Sequence, residues 1–195
     1  MMKSLLPAIP LLVAIIAAGC GGPSPTTSGP TPGSPSPSVA GSAASRHADP
    51  ELEALLPGTL GGIALTRESQ RGVDLSRQSP ALETFLGSLG KTLADFTLAS
   101  AYSASGDLEA QVGAWRIRGA STDLLMPGFI TAIQASSTTP LTVTDVVEGG
   151  RTVTKIGEPG QLTQGPLYAF ARDDTVLFVQ TTDPALAAEA LSDLR

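Results

Sequence analysis

Leu167-Tyr168-Ala169-Phe170-Ala171-Arg172-Asp173-Asp174-Thr175-Val176-Leu177-Phe178-Val179-Gln180-Thr181 is the stretch that decides the fold. Two runs of aromatic and β-branched residues flank an Asp-Asp pair, so the stretch predicts a strand, a tight turn and a second strand. Asp183-Pro184 follows, an N-cap and a first-turn proline. The helix it opens places Ala187, Ala190, Leu191 and Leu194 on one buried face. The same grammar lies just upstream. Leu141–Val147 and Arg151–Ile156 read as strands joined by Glu148-Gly149-Gly150-Arg151, a hairpin turn. Residues 157–165 read as a Gly/Pro/Gln loop.

Further back, Asp49-Pro50-Glu51 opens a short helix to Leu56, and Pro57-Gly58 stops it. Gly61-Gly62 lead into a strand over Ile63–Ser69. Ser79-Pro80 start a helix with Leu82, Phe85, Leu86 and Leu89 at amphipathic spacing, ended by Gly90. Phe96–Tyr102 alternates as a strand, and Ser105-Gly106-Asp107 turns the chain. Residues 110–118 form the next strand, with Trp115 and Ile117 on one face and Arg116 and Arg118 on the other. Gly113 marks a bulge or a close backbone approach. Ser121 caps a helix to about Ala135, with a kink or late restart expected at Pro127-Gly128. The sum is a single α+β domain, mainly antiparallel sheet with helices packed on one face. Its first half has the β-α-β-β-α-β order of a ferredoxin-like unit.

The N-terminal part is of another kind. Lys3 precedes an apolar run through Ile16 that is too short for a comfortable membrane span of ~20 residues. It ends Ala17-Ala18-Gly19-Cys20. This ending resembles the lipobox of bacterial lipoproteins, although Ala17 stands where that pattern prefers leucine. The resemblance implies a signal peptide over 1–19, cleavage before Cys20, and diacylglycerol on the Cys20 sulfur. It places the chain outside the cytoplasm, lipid-anchored to the outer face of the cell membrane, or to the outer membrane where one exists. From Gly21 to Ser45 there are six prolines and five glycines and no charged residue. Such a stretch cannot bury enough surface to offset its ordering entropy. Residues 20–48 therefore read as a lipidated cysteine and a disordered tether reaching roughly 30 Å, and 49–195 as the folded body. His47, the only histidine, falls in the tether. The body also resembles small uncharacterised domains that follow lipoboxes in GC-rich bacteria. That resemblance rests on Leu56-Pro57-Gly58 through Gly61-Gly62-Ile63, on Glu148-Gly149-Gly150-Arg151-Thr152-Val153 and on Val176-Leu177-Phe178-Val179. No activity comes with it.

Composition narrows the function further. The formal charge is −6, with 18 acidic and 12 basic residues and no basic run. That argues against nucleic acid, which is bound by neutralising phosphates. Read this way, the body holds no imidazole and no thiol, and its only lysines are Lys91 and Lys155. No nucleophile–base pairing, zinc set, P-loop or dinucleotide fingerprint is legible. Asp173-Asp174 lacks EF-hand spacing and reads as a turn, and Trp115, Tyr102, Tyr168 and Phe170 read as core rather than a ligand face. No catalytic, metal or cofactor-binding residue is assigned and no cofactor is expected. Arg116 and Arg118 are the candidate ligand face, because guanidiniums recognise anionic groups. The expected role is a non-enzymatic binding or scaffolding module, held to the membrane by Cys20 and engaging an envelope protein or small ligand. The alternative is an envelope-acting hydrolase using paired carboxylates.

Overall fold

A computed structural model describes residues 46–75, 79–106, 108–157 and 165–195. The expected signal peptide, Cys20 and the tether to Ser45 lie outside the described residues, as do Asp107 and most of the 157–165 loop. Helix α1 spans Pro50–Glu53, α2 Pro80–Ser88, α3 Thr122–Ser136 and α4 Pro184–Asp193. Strands β1 (Thr59–Leu60) and β2 (Ile63–Ala64) form a small hairpin. The remaining strands are β3 (Thr66–Arg71), β4 (Phe96–Tyr102), β5 (Ala110–Ile117), β6 (Thr142–Glu148), β7 (Arg151–Gly157), β8 (Leu167–Arg172) and β9 (Thr175–Thr181). They build one 7-stranded sheet in the order β3-β4-β5-β9-β8-β7-β6. Every neighbouring pair is antiparallel.

The local signals account for the elements. Asp49, Ser79 and Asp183 each accept a backbone N–H at the start of a helix, with proline next in sequence. Gly149 and Gly150, at φ 57° and 77°, turn the β6–β7 hairpin with Glu148 opposite Arg151. This is the left-handed pair that a two-residue turn matched to strand twist requires. Gly61 and Gly62 do the same between β1 and β2, at φ 57° and 76°. They are therefore the tip of a hairpin, and the strand expected over Ile63–Ser69 breaks at Leu65. Helix α3 continues as one α-helix past Pro127.

The sheet is covered on both faces, which corrects the expectation of helices on one face. On the front, Ala99, Ala101, Val112, Ala114, Leu177 and Val179 meet Leu52 and Leu56 near α1 and Ala187, Ala190, Leu191 and Leu194 of α4. On the back, Phe96, Trp115 and Phe178 form a ring cluster with Phe129 of α3. Trp115 stands edge-on to Phe96 at 5.5 Å, to Phe129 at 4.9 Å and to Phe178 at 6.4 Å. Each such pair adds about 0.5–1.5 kcal/mol beyond area burial. Gly113 resolves as a close approach. The pairing of β5 runs through it without a bulge, and a Cβ there would sit 2.4 Å from the Phe178 ring. Strand β9 shows the result most clearly, with every residue from Thr175 to Thr181 buried. A continuous apolar strand is what a sheet buried on both faces demands.

The ferredoxin-like unit does not form. That arrangement needs the strands flanking the first helix to lie parallel, with another strand between them. Here β3 and β4, which flank α2, are antiparallel neighbours, and β3-β4-β5 run as a meander.

Candidate functional site

The front face ends, beside α1, in an open cleft of about 670 Å³ lined by Ala48, Asp49, Pro50, Glu51, Arg116, Arg118 and Asp174. The two arginines singled out by strand alternation thus line one concave surface. Their surroundings differ. Arg116, on the front row of β5, donates through Nη1 to Asp49 Oδ2 at 2.8 Å and has Nε 3.7 Å from Asp174 Oδ1. Arg118 lies one residue past the strand, and its backbone N–H donates to the Asp95 carbonyl. Among the described residues Arg118 makes no ion pair. Its charge lies near Asp95. That carboxyl is held below the usual range first by the Thr92 N–H, then by the Thr92 hydroxyl, with Lys91 and Arg118 adding attraction.

Two of the three carboxylates of the cleft are engaged by the body itself. Asp49 caps α1 through Oδ1, which accepts from Leu52 N at 2.9 Å, while Oδ2 takes Arg116. Asp174 accepts from Gly119 N at 3.3 Å and from the Thr175 hydroxyl at 3.3 Å. Glu51 stands exposed at the rim. Arg116 is therefore a strut joining α1 to the β8–β9 turn, and its guanidinium is already answered by two acids.

His47 requires a correction. The chain leading into α1 is part of the body: Ser69 N donates to Arg46 O at 2.9 Å and Ala48 N to Ser69 O at 3.2 Å. Arg46–Ala48 thus lie along the outer edge of β3 as a short parallel bridge. His47 Nδ1 lies 2.9 Å from Glu53 Oε2, and the buried Ser69 hydroxyl donates to Glu53 Oε1 at 2.5 Å. The same Ser69 oxygen accepts from Asp49 N at 2.7 Å. Serine, carboxylate and histidine all meet here, but the carboxylate lies between the other two. Nucleophilic catalysis needs the histidine on the serine. This group instead clasps the incoming chain to β3. Arg67 completes the clasp, donating to the carbonyl of Leu56 at 3.1 Å, just beyond the end of α1.

The other candidates disperse. Trp115 and Tyr102 face the back, where Tyr102 donates to Glu68 at 3.4 Å, while Tyr168 and Phe170 face the front. Asp173 lies 3.9 Å from Arg172 and Asp174 belongs to the cleft. Among the described residues no three His, Cys, Asp or Glu side chains stand together as a metal set, and no helix is long and apolar enough to cross a membrane. The clasp was missed in the sequence because its pairing joins residues far apart in the chain. No known family model matches the sequence, and a search of curated proteins finds no significant match.

Proposed function

We propose that this chain is a membrane-anchored envelope lipoprotein, lipidated on Cys20, whose body acts by binding or positioning a partner and not by turning over a substrate. One observation carries the reading of the body. Of the groups able to do acid–base work around the cleft and clasp, His47 and Glu53 are joined to each other, Glu53 also to Ser69, and Asp49 and Asp174 to Arg116 and backbone donors, which leaves Glu51 at the exposed rim. A general acid or base must be free to exchange a proton with a substrate. The joined groups hold together the place where the chain joins the sheet. The anchoring half rests on Ala17-Ala18-Gly19-Cys20 and the apolar run before it.

Two experiments test the two halves. Cys20→Ala should abolish incorporation of labelled fatty acid, and continued labelling would end the lipoprotein reading. The detergent-solubilised protein should leave glycan and ester substrates intact. Cleavage that stops on changing Asp49, Glu51 or Asp174 would instead establish the carboxylate hydrolase, with this cleft as its active site.

A further inference from the structure

The two edges of the sheet are finished differently. At β3 the incoming chain covers the edge, and Glu68 and Ser69 are buried. At β6, Thr142, Val143, Thr144 and Asp145 are all exposed. Val143 and Val147 are 42% and 76% exposed, on a row that β6 presents to the back. Helix α3 covers β8 and β9 but leaves these valines open. Between them, on the same row, lies Asp145, which accepts the Thr154 hydroxyl at 3.0 Å. Among the described residues no strand pairs with the outer side of β6, and a threonine- and valine-rich strand with an unpaired edge is a template for another strand.

The charge in the middle of that row decides the occupant. Two copies pairing edge to edge as antiparallel strands must be related by a two-fold axis, which sets one residue of β6 against itself. The register that matches Val143 with Val147 twice centres on Asp145 and opposes two carboxylates, which is destabilising. Shifting the centre to Thr144 or Val146 sets Asp145 against a valine and removes the matched valine pairs. A foreign strand carries no such restriction. We propose that β6 is a strand-addition site for an extended partner segment that presents lysine or arginine opposite Asp145 and apolar or β-branched residues two positions to either side. Main-chain hydrogen bonds supply the attachment, and alternate side chains supply the choice of partner. The proposal rests on the reading of the body as a binding module and names the class of its partner.

The test uses the full chain in detergent and two synthetic heptapeptides. Both alternate threonine with valine, one with lysine at the centre and one with glutamate. Fluorescence anisotropy should show the lysine peptide binding at least ten-fold more tightly, with a preference that weakens at high salt. Asp145→Lys should reverse the preference, and Val147→Lys should weaken both peptides. Exposed positions tolerate these changes, and circular dichroism of each variant checks that the fold persists. Equal binding of the two peptides, or a preference that Asp145→Lys leaves unchanged, overturns the proposal. So does a dimer of the free chain that Val147→Lys dissociates, because the edge would then serve self-pairing. Failure here leaves the substrate assays above untouched, while substrate turnover would remove the binding reading without bearing on the peptides.

Discussion

The outer strands β3 and β6 bound the same sheet, six strand steps apart, or about 29 Å at the usual spacing. They solve the problem of an unpaired backbone edge in opposite ways. Strand β3 is sealed by its own chain, with Ser69 shared between Arg46, Ala48, Asp49 and Glu53. Among the described residues no strand pairs with the outer edge of β6, which carries the acidic Asp145 at its centre. A charge on an edge strand is a known guard against uncontrolled pairing. It excludes a second copy in the best valine register, yet it leaves a basic strand welcome. The sealed edge is where the chain arrives, and the open edge is the far side, available to whatever the body meets.

The largest effect on stability is expected at neither edge but between them. Trp115→Ala removes the residue that joins β4, β5, β9 and α3, and should destabilise by about 3–5 kcal/mol in denaturant unfolding. A loss under about 1 kcal/mol would mean that the back layer is loosely packed. At the sealed edge, Ser69→Ala strands the Asp49 N–H and one oxygen of buried Glu53, and should cost about 1–3 kcal/mol. An equal change on truncating exposed His47 would show that the clasp is not organised around Ser69. The two arginines of the cleft should separate in the same assay. Arg116→Ala leaves Asp49 and Asp174 facing each other without their cation, and should cost about 1–3 kcal/mol, whereas Arg118→Ala should stay within about 0.5 kcal/mol. A double replacement is consequently a poor probe of ligand capture, because half of it weakens the fold.

Much of this was legible in the sequence, and the failures have definite causes. The strand over Phe96–Tyr102, the turn at Gly149-Gly150 and the buried face of α4 come from short-range signals, namely alternation, left-handed glycines and helical spacing. Coverage of both sheet faces was also written there, in the unbroken Val176-Leu177-Phe178-Val179 and in Phe96 and Ala99 on opposite rows of one strand. Small alanines on the front row concealed it, since they read as neutral against the large residues behind. The partners of Arg116 and His47 could not be read at all. Asp49 and Asp174 are brought to Arg116 only by the finished sheet, and nothing local marks Ser69 as the partner of Arg46 and Ala48. Strand β1, two residues long, is too short to carry a period.

Acid and base act on different places. The folded Asp95 carboxyl lies below its ordinary value, so the native state binds that proton more weakly than the unfolded chain does. Its contribution is present above the ordinary value of 3.8 and is lost as pH falls through the lowered folded value. Asp95→Asn should flatten that acid limb of the stability profile. Tyr102, beside the sealed edge, titrates above its ordinary 10.0, first because of burial and then because of Glu68. Its contribution is complete below 10.0 and fades as pH rises through the raised folded value. Tyr102→Phe should remove that alkaline loss, which ultraviolet absorbance of the phenolate follows directly. The smallest effect belongs to the open edge. Val147→Lys should alter stability by no more than about 0.5 kcal/mol, because the side chain touches little that the fold needs.

Amide hydrogen exchange, resolved by residue in the full chain, compares the two edges most directly. Exchange should be slow at Ala48 and Ser69, whose N–H groups cross the sealed edge. It should be fast at the outward-pointing amides of Thr142–Glu148 and slow on adding the lysine-centred peptide. Protection along β6 in the free chain, or free exchange at Ser69, would contradict the contrast between the two edges.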